Sequence, residues 1–260
     1  MSGYLIVCFI SAILISLIVL VCQIRFASNA RWHSAIERDR PALVAATIAG
    51  DHAEVKRILD SGADPDVLDH IGAPETGWFH LRQWERMPKT VYGVRTPLMI
   101  ASVAGNETIA SELIAHGAVV GFRDVIRGNA ANTALGLAVS AGHLRVVKLL
   151  LSHGADPNQM CALGSFPLVD AADVGNMEII ESLLDAGASV DIQSEDGDTA
   201  LITAAWCDYV SEPVIRRLLR AGADRSIRNK EGKCAADIAA DCGNVRVVSV
   251  LAESSDDSEL

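Results

Sequence analysis

Aromatic side chains are scarce in this 260-residue chain, at 5% of residues, which argues against a core built on large rings and suits helices packed through small and aliphatic groups. Positive charge is also in deficit. Against 33 Asp and Glu stand 22 Lys and Arg, a formal net charge of −11, where a nucleic-acid binder would need a basic stripe for the phosphates. Of six cysteines, Cys8 and Cys22 sit in an apolar run, and Cys161, Cys207, Cys234 and Cys242 lack the paired spacing of a zinc site or a disulfide framework. No metal site is expected. Asp196-Gly197-Asp198 lacks the remaining ligand series of a calcium loop and reads as a hairpin. No nucleophile, base and orienting acid stand at interpretable spacing, so the sequence predicts no catalytic residue, no cofactor and no small-molecule substrate.

What the chain does have is a phrase that returns: Gly62-Ala63-Asp64-Pro65, Gly117-Ala118-Val119, Gly154-Ala155-Asp156-Pro157, Gly187-Ala188-Ser189 and Gly222-Ala223-Asp224. A second marker fixes the phase. Helix-opening triplets begin at Pro41, Thr96, Thr133, Phe166, Thr199 and Cys234, and the last five starts lie 37, 33, 33 and 35 residues apart. Small residues follow each triplet, then usually a glycine, then an aliphatic run such as Leu144 to Leu151. Thr133 can cap a first helix through its hydroxyl, and Pro97 and Pro167 suit a first turn. Gly142 turns the chain, and Gly154 supplies the left-handed residue that ends the second helix. One such pair cannot bury its apolar face alone, so the units must stack.

These markers resemble those of ankyrin-repeat proteins, whose period is about 33 residues. The resemblance implies an all-α repeat solenoid over 38–252, with about six stacked helix-turn-helix units and hairpin loops, preceded by one transmembrane helix. The units fall near 38–69, 93–126, 130–161, 163–194, 196–229 and 231–252, with an insertion at 70–92. His143, His116 and His153 sit at positions with a repeat explanation and read as scaffold.

Ahead of the repeats, Gly3 to Ile24 carries no charged residue. At about 1.5 Å per residue the segment is long enough for a hydrocarbon core of about 30 Å. The reading is a transmembrane anchor within 1–24, a juxtamembrane linker at 25–37 and an acidic tail at 253–260. A signal peptide or an anchor with an exported repeat domain is the alternative, although Met1 to Tyr4 lacks the usual positive start of a signal peptide. Arg25, Arg31, Arg38 and Arg40 follow the span, which places the repeats in the cytoplasm by the positive-inside rule.

Family resemblance implies a protein partner on the concave face made by hairpin tips and first helices. Candidate contacts are positions that exceed packing needs. Gly62 and Gly117 are 55 residues apart, an excess of about 22 over one repeat. That excess holds Trp78, Phe79, Arg82, Trp84, Arg86 and Tyr92, side chains typical of interface anchors; a structural cover over a repeat edge is the other reading. A second irregularity is the stretched turn Trp206-Cys207-Asp208-Tyr209, which delays the next helix to Ser211 and offers Trp206 and Tyr209. Near them in repeat phase lie Asp170, Asp173, Glu195, Asp196 and Asp198, an acidic stretch that contrasts with the basic N-terminal half. The expected function is a non-catalytic, membrane-tethered interaction module that holds or inhibits a protein. A structural or regulatory subunit of a membrane complex, or a protein similar to small bacterial ankyrin proteins that neutralise a toxin or effector, are the alternatives.

Overall fold

The computed structural model describes residues 41–67, 69–70, 94–125, 131–161, 164–206 and 211–252. The span at 3–24, the linker 25–37, the insertion beyond His70 and the tail 253–260 lie outside the described residues. Among the described residues, no helix is long and apolar enough to cross a membrane.

Twelve helices are described, in six successive pairs. They are α1 (Ala42–Ala49) with α2 (His52–Asp60), α3 (Pro97–Val103) with α4 (Glu107–Ala115), and α5 (Ala134–Ser140) with α6 (Leu144–Ser152). The series continues with α7 (Pro167–Val174) and α8 (Met177–Asp185), α9 (Ala200–Trp206) and α10 (Ser211–Arg220), and α11 (Ala235–Asp241) and α12 (Val245–Ala252). First helices α1, α3, α5, α7, α9 and α11 each pack on the next. Among the second helices, α2, α4, α6 and α8 pack in sequence, as do α10 and α12. Two short antiparallel ladders complete the described architecture: β1 (Asp69–His70) with β2 (Val94–Arg95), and β3 (Asp124–Val125) with β4 (Ala131–Asn132).

The helix starts follow from local chemistry. Thr96, Thr133 and Thr199 accept the backbone N–H groups of Met99, Gly136 and Ile202. Asp51, Asn106, Asn176 and Asn244 do the same for second helices. Each such cap stabilises by about 1 kcal/mol. His143 takes a different course at the start of α6. Its Nε2 lies 3.1 Å from the Val103 carbonyl, and its ring fills the space above Gly105, where a Cβ would meet it at 2.6 Å. The scaffold reading of this histidine therefore acquires a mechanism: the ring ties the third unit to the second.

The aspartate of the returning phrase closes its own turn. Carboxylates of Asp64, Asp156 and Asp224 accept the N–H two residues on, at 2.9, 2.8 and 2.8 Å. A second series of bonds joins neighbouring units. Asp66 accepts from Val119 N–H, Asn158 from Ser189 N–H and Asp191 from Asp224 N–H. Gly154 has φ of 84° with open space around its missing Cβ, so backbone conformation, not crowding, selects glycine there.

Small residues set the spacing of the stack. Ala101, Ala138, Ala171, Ala204 and Ala239 are all fully buried in a continuous core with Leu98, Leu135, Leu168 and Leu201. Gly136 is the most crowded of the described glycines, because a Cβ there would run into Cys161 Sγ.

Candidate protein-binding face

Aligning the first helices on Leu43, Leu98, Leu135, Leu168, Leu201 and Ala236 shows how one face is excluded from the core. Residues three positions on are small and buried in every unit, and helical periodicity turns the fifth position away from them. That fifth position reads Ile48, Val103, Ser140, Asp173, Trp206 and Asp241, and all six are exposed. Ile48, Val103 and Trp206 are 50%, 36% and 48% exposed, and Val174, one residue beyond Asp173, is 46% exposed. Packing among the described residues does not account for those apolar groups.

Trp206 and Asp173 of the sequence-derived candidates belong to this row. Ile48, Val103 and Val174 were not singled out by sequence reasoning; their signal is register, visible only once the repeats are superposed on the buried leucines. Trp206 is the last residue of α9, and α10 opens at Ser211, where the stretched turn was expected to end.

Glu195, Asp196 and Asp198 fall elsewhere, on the tip that leads into α9. They work in the stacking of tips. Glu195 N–H donates to the Gly164 carbonyl at 2.8 Å, and the Asp196 carbonyl accepts from Lys230 N–H at 2.9 Å. The half-buried Asp198 carboxylate accepts from Asn229 Nδ2 at 2.9 Å. Gly197, at φ of 83°, leaves room for this approach, since a Cβ there would meet Lys230 N at 2.9 Å.

Trp78, Phe79, Arg82, Trp84, Arg86, Tyr92 and Tyr209 lie outside the described residues. The base of the insertion is described, however. Asp69 pairs with Arg95 and His70 with Val94, so the chain leaves and re-enters through the open end of a hairpin.

The electrostatics of the helix face centre on α7. Asp170, three residues before Asp173 on the same face, is half-buried and accepts from Ser165 Oγ at 2.5 Å, while Ser140 Oγ lies 3.4 Å away and shares its one proton with the Gly136 carbonyl at 3.0 Å. Burial pushes its carboxyl above the usual range, and the charge of Asp173 adds to the rise, against the lowering effect of the two hydroxyls. The buried Cys161 thiol is pushed up to about 12, chiefly by burial and then by the Asp170 charge. Such a thiol is protonated at neutral pH and is not a nucleophile.

On the second helices, Glu112 draws His52, Lys56 and His116 around it, with Lys56 Nζ at 2.7 Å. Asp60, Glu112 and His116 place ligand atoms within 4.8 Å of one another. The lysine ammonium already occupies the Glu112 carboxylate, so this group works as an ion-pair cluster joining α2 to α4.

A stack of helix pairs with buried small residues and an exposed first-helix row defines a repeat-type protein-interaction module. A family model described as ankyrin repeats matches residues 19–161 and 168–259, and the chain belongs to the ankyrin-repeat family. It is similar to potassium channel AKT2/3 of Arabidopsis thaliana, with 27% identity over 62% of this chain and 17% of the channel. Ankyrin repeat domain-containing protein 63 of Mus musculus is 36% identical over 43% of this chain and 30% of that protein. Putative palmitoyltransferase ZDHHC13 of Danio rerio is 31% identical over 55% of this chain and 22% of the relative. The matched region thus spans less than a third of each of these three relatives.

Proposed function

We propose that this chain is a membrane-tethered, non-catalytic adaptor that holds or inhibits a protein partner through the first-helix face, with the inserted 70–92 segment as a second contact. The observation that carries the reading is the exposed row in repeat register, with Ile48, Val103 and Trp206 in it and Val174 beside it, available beyond what the described stack uses. Large aromatic groups at such positions commonly contribute the largest share of binding energy. The uncharged Gly3 to Ile24 supports the tether, and the arginines after it support a cytoplasmic repeat domain. Confinement to the bilayer raises the effective concentration of a partner held in the same membrane without any added contact.

A second reading, a structural or regulatory subunit of a membrane complex, draws on the similarity to a potassium channel. Capture from solubilised membranes separates the two. The interaction module keeps its partner when residues 3–24 are exchanged for an unrelated transmembrane helix. It loses that partner by about 30-fold in affinity with Trp206→Ala, the effect of a residue contributing about 2 kcal/mol. Retention with Trp206→Ala and loss with the exchanged helix would establish the membrane-complex reading instead.

A further inference from the structure

The residue two positions after the alignment leucine is Ala45, Ile100, Leu137, Thr203 or Ile238 in five units, and Asp170 in α7. A carboxylate therefore stands where the repeat asks for an uncharged side chain. Its described partners are two neutral hydroxyls, Ser165 Oγ and Ser140 Oγ. Among the described residues no Lys, Arg or His lies within ion-pair distance of it. Ser140 shares its one proton with the Gly136 carbonyl, so these hydroxyls leave much of the acceptor capacity of a carboxylate unused, and a half-buried charge without a counter-ion costs stability. Ser140 holds the fifth position of α5, so its bond to Asp170 shows that this carboxylate borders the exposed row. Asp173, whose charge Asp170 senses, and Val174 lie on the next turn, and Trp206 takes the same register position as Asp173 on the packed neighbour α9.

We propose that Asp170 is the receptor for one cationic side chain, an arginine or a lysine, of the bound protein. Its charge is met by Asp170 with Asp173 beside it, and its neighbouring apolar residue packs on Val174 and Trp206. The occupant is a protein segment that presents a cation next to an apolar group. Charge complementarity carries the assignment. An incoming cation supplies the counter-charge that no described residue provides for Asp170, and it relieves the repulsion between two carboxylates on one helix face. Arginine fits best, because a planar guanidinium can engage a carboxylate through two N–H groups while its plane rests on an indole. Ser140 and Ser165 hold the carboxylate in place before binding, so less order is lost when the cation arrives.

This inference rests on the first-helix face being the binding face, and the test separates the two. Random 12-residue peptides are selected on the immobilised 260-residue chain after depletion on Trp206→Ala, so that survivors depend on the face. The expected survivors carry a conserved Arg or Lys beside an apolar residue. Asp170→Asn, which keeps the shape and removes the charge, weakens them about 30-fold, as does replacing their cation with alanine, and the two changes together cost little more than either alone. Asp170→Leu, which restores an apolar residue, abolishes binding while thermal unfolding moves to higher temperature. Survivors without a cation, or survivors bound within twofold by Asp170→Asn, overturn the cation receptor and leave the face reading intact. No survivors at all overturn both.

Discussion

A carbonyl oxygen can only accept, so the 2.9 Å contact between His116 Nδ1 and the Glu112 carbonyl fixes Nδ1 as a donor. The other nitrogen, Nε2, lies 3.2 Å from the Asp60 carboxylate, which also accepts. Both contacts are satisfied together only when the ring carries both protons. Its pKa is accordingly raised above the ordinary 6.5, first by the Glu112 carbonyl, with Asp60 and the Glu112 charge adding to it and desolvation opposing. Lys56 and His52 face the same cluster from α2. A raised pKa means stability that is fully present below the unfolded value and lost as pH rises through the folded one. The melting-temperature advantage of the native chain over His116→Gln is therefore expected to be largest near pH 6 and to shrink steadily as the pH is raised toward 9. An advantage that stays constant over that range would show that the ring is not protonated in the fold. The scaffold role of His116 was legible from its place before Gly117. Its partner was not, because Asp60 lies 56 residues away across the long insertion.

Helix starts and stops were the most legible elements, since each depends on a few adjacent residues: Thr133 caps α5, and Gly154 ends α6 at positive φ. The exposed row was less legible. Ile48 or Val103 alone is an ordinary helix residue, and only stacking reveals that the buried alanines turn both outward. Asp170 stood in an acidic stretch of sequence, but its contact with Ser140 crosses from the preceding unit, 30 residues away. At the same scale, the β1–β2 ladder shows how the insertion can be tested. His70 faces Val94, so a two-residue Asn-Gly turn can join them in place of residues 71–93, with the type I′ geometry that short hairpins favour. Such a chain is expected to keep its helical circular dichroism and to melt within a few degrees of the native protein, with weakened partner capture. Collapse of the melting transition would mean that the insertion covers a structural edge instead of binding.

Among the described residues the helices pack within a unit and against the neighbouring units, so stability is approximately a sum of unit and interface contributions and a weak interface limits the array. The tip-to-tip bonds reveal where one contribution is missing. The fourth residue after each phrase glycine accepts from the next unit at three junctions: Asp66 to Val119, Asn158 to Ser189 and Asp191 to Asp224. At the junction between the second and third units that position is Gly121, which has no side chain to offer. Gln159 Nε2 instead donates to the Gly121 carbonyl at a long 3.3 Å. Gly121 does not adopt positive φ, and nothing lies within 4 Å of where its Cβ would stand, so an aspartate fits without strain. Gly121→Asp places a carboxylate in the position that Asp191 holds two junctions later, toward Asp156 N–H, and it also restricts the unfolded chain. One added bond contributes about 1 kcal/mol, enough to raise the melting temperature of a stack this size by about 2–4 °C. The acceptor carries the effect, so Gly121→Ala should give only the smaller share that comes from the unfolded chain. Equal gains from the two substitutions would show that the junction between the second and third units was not short of a bond.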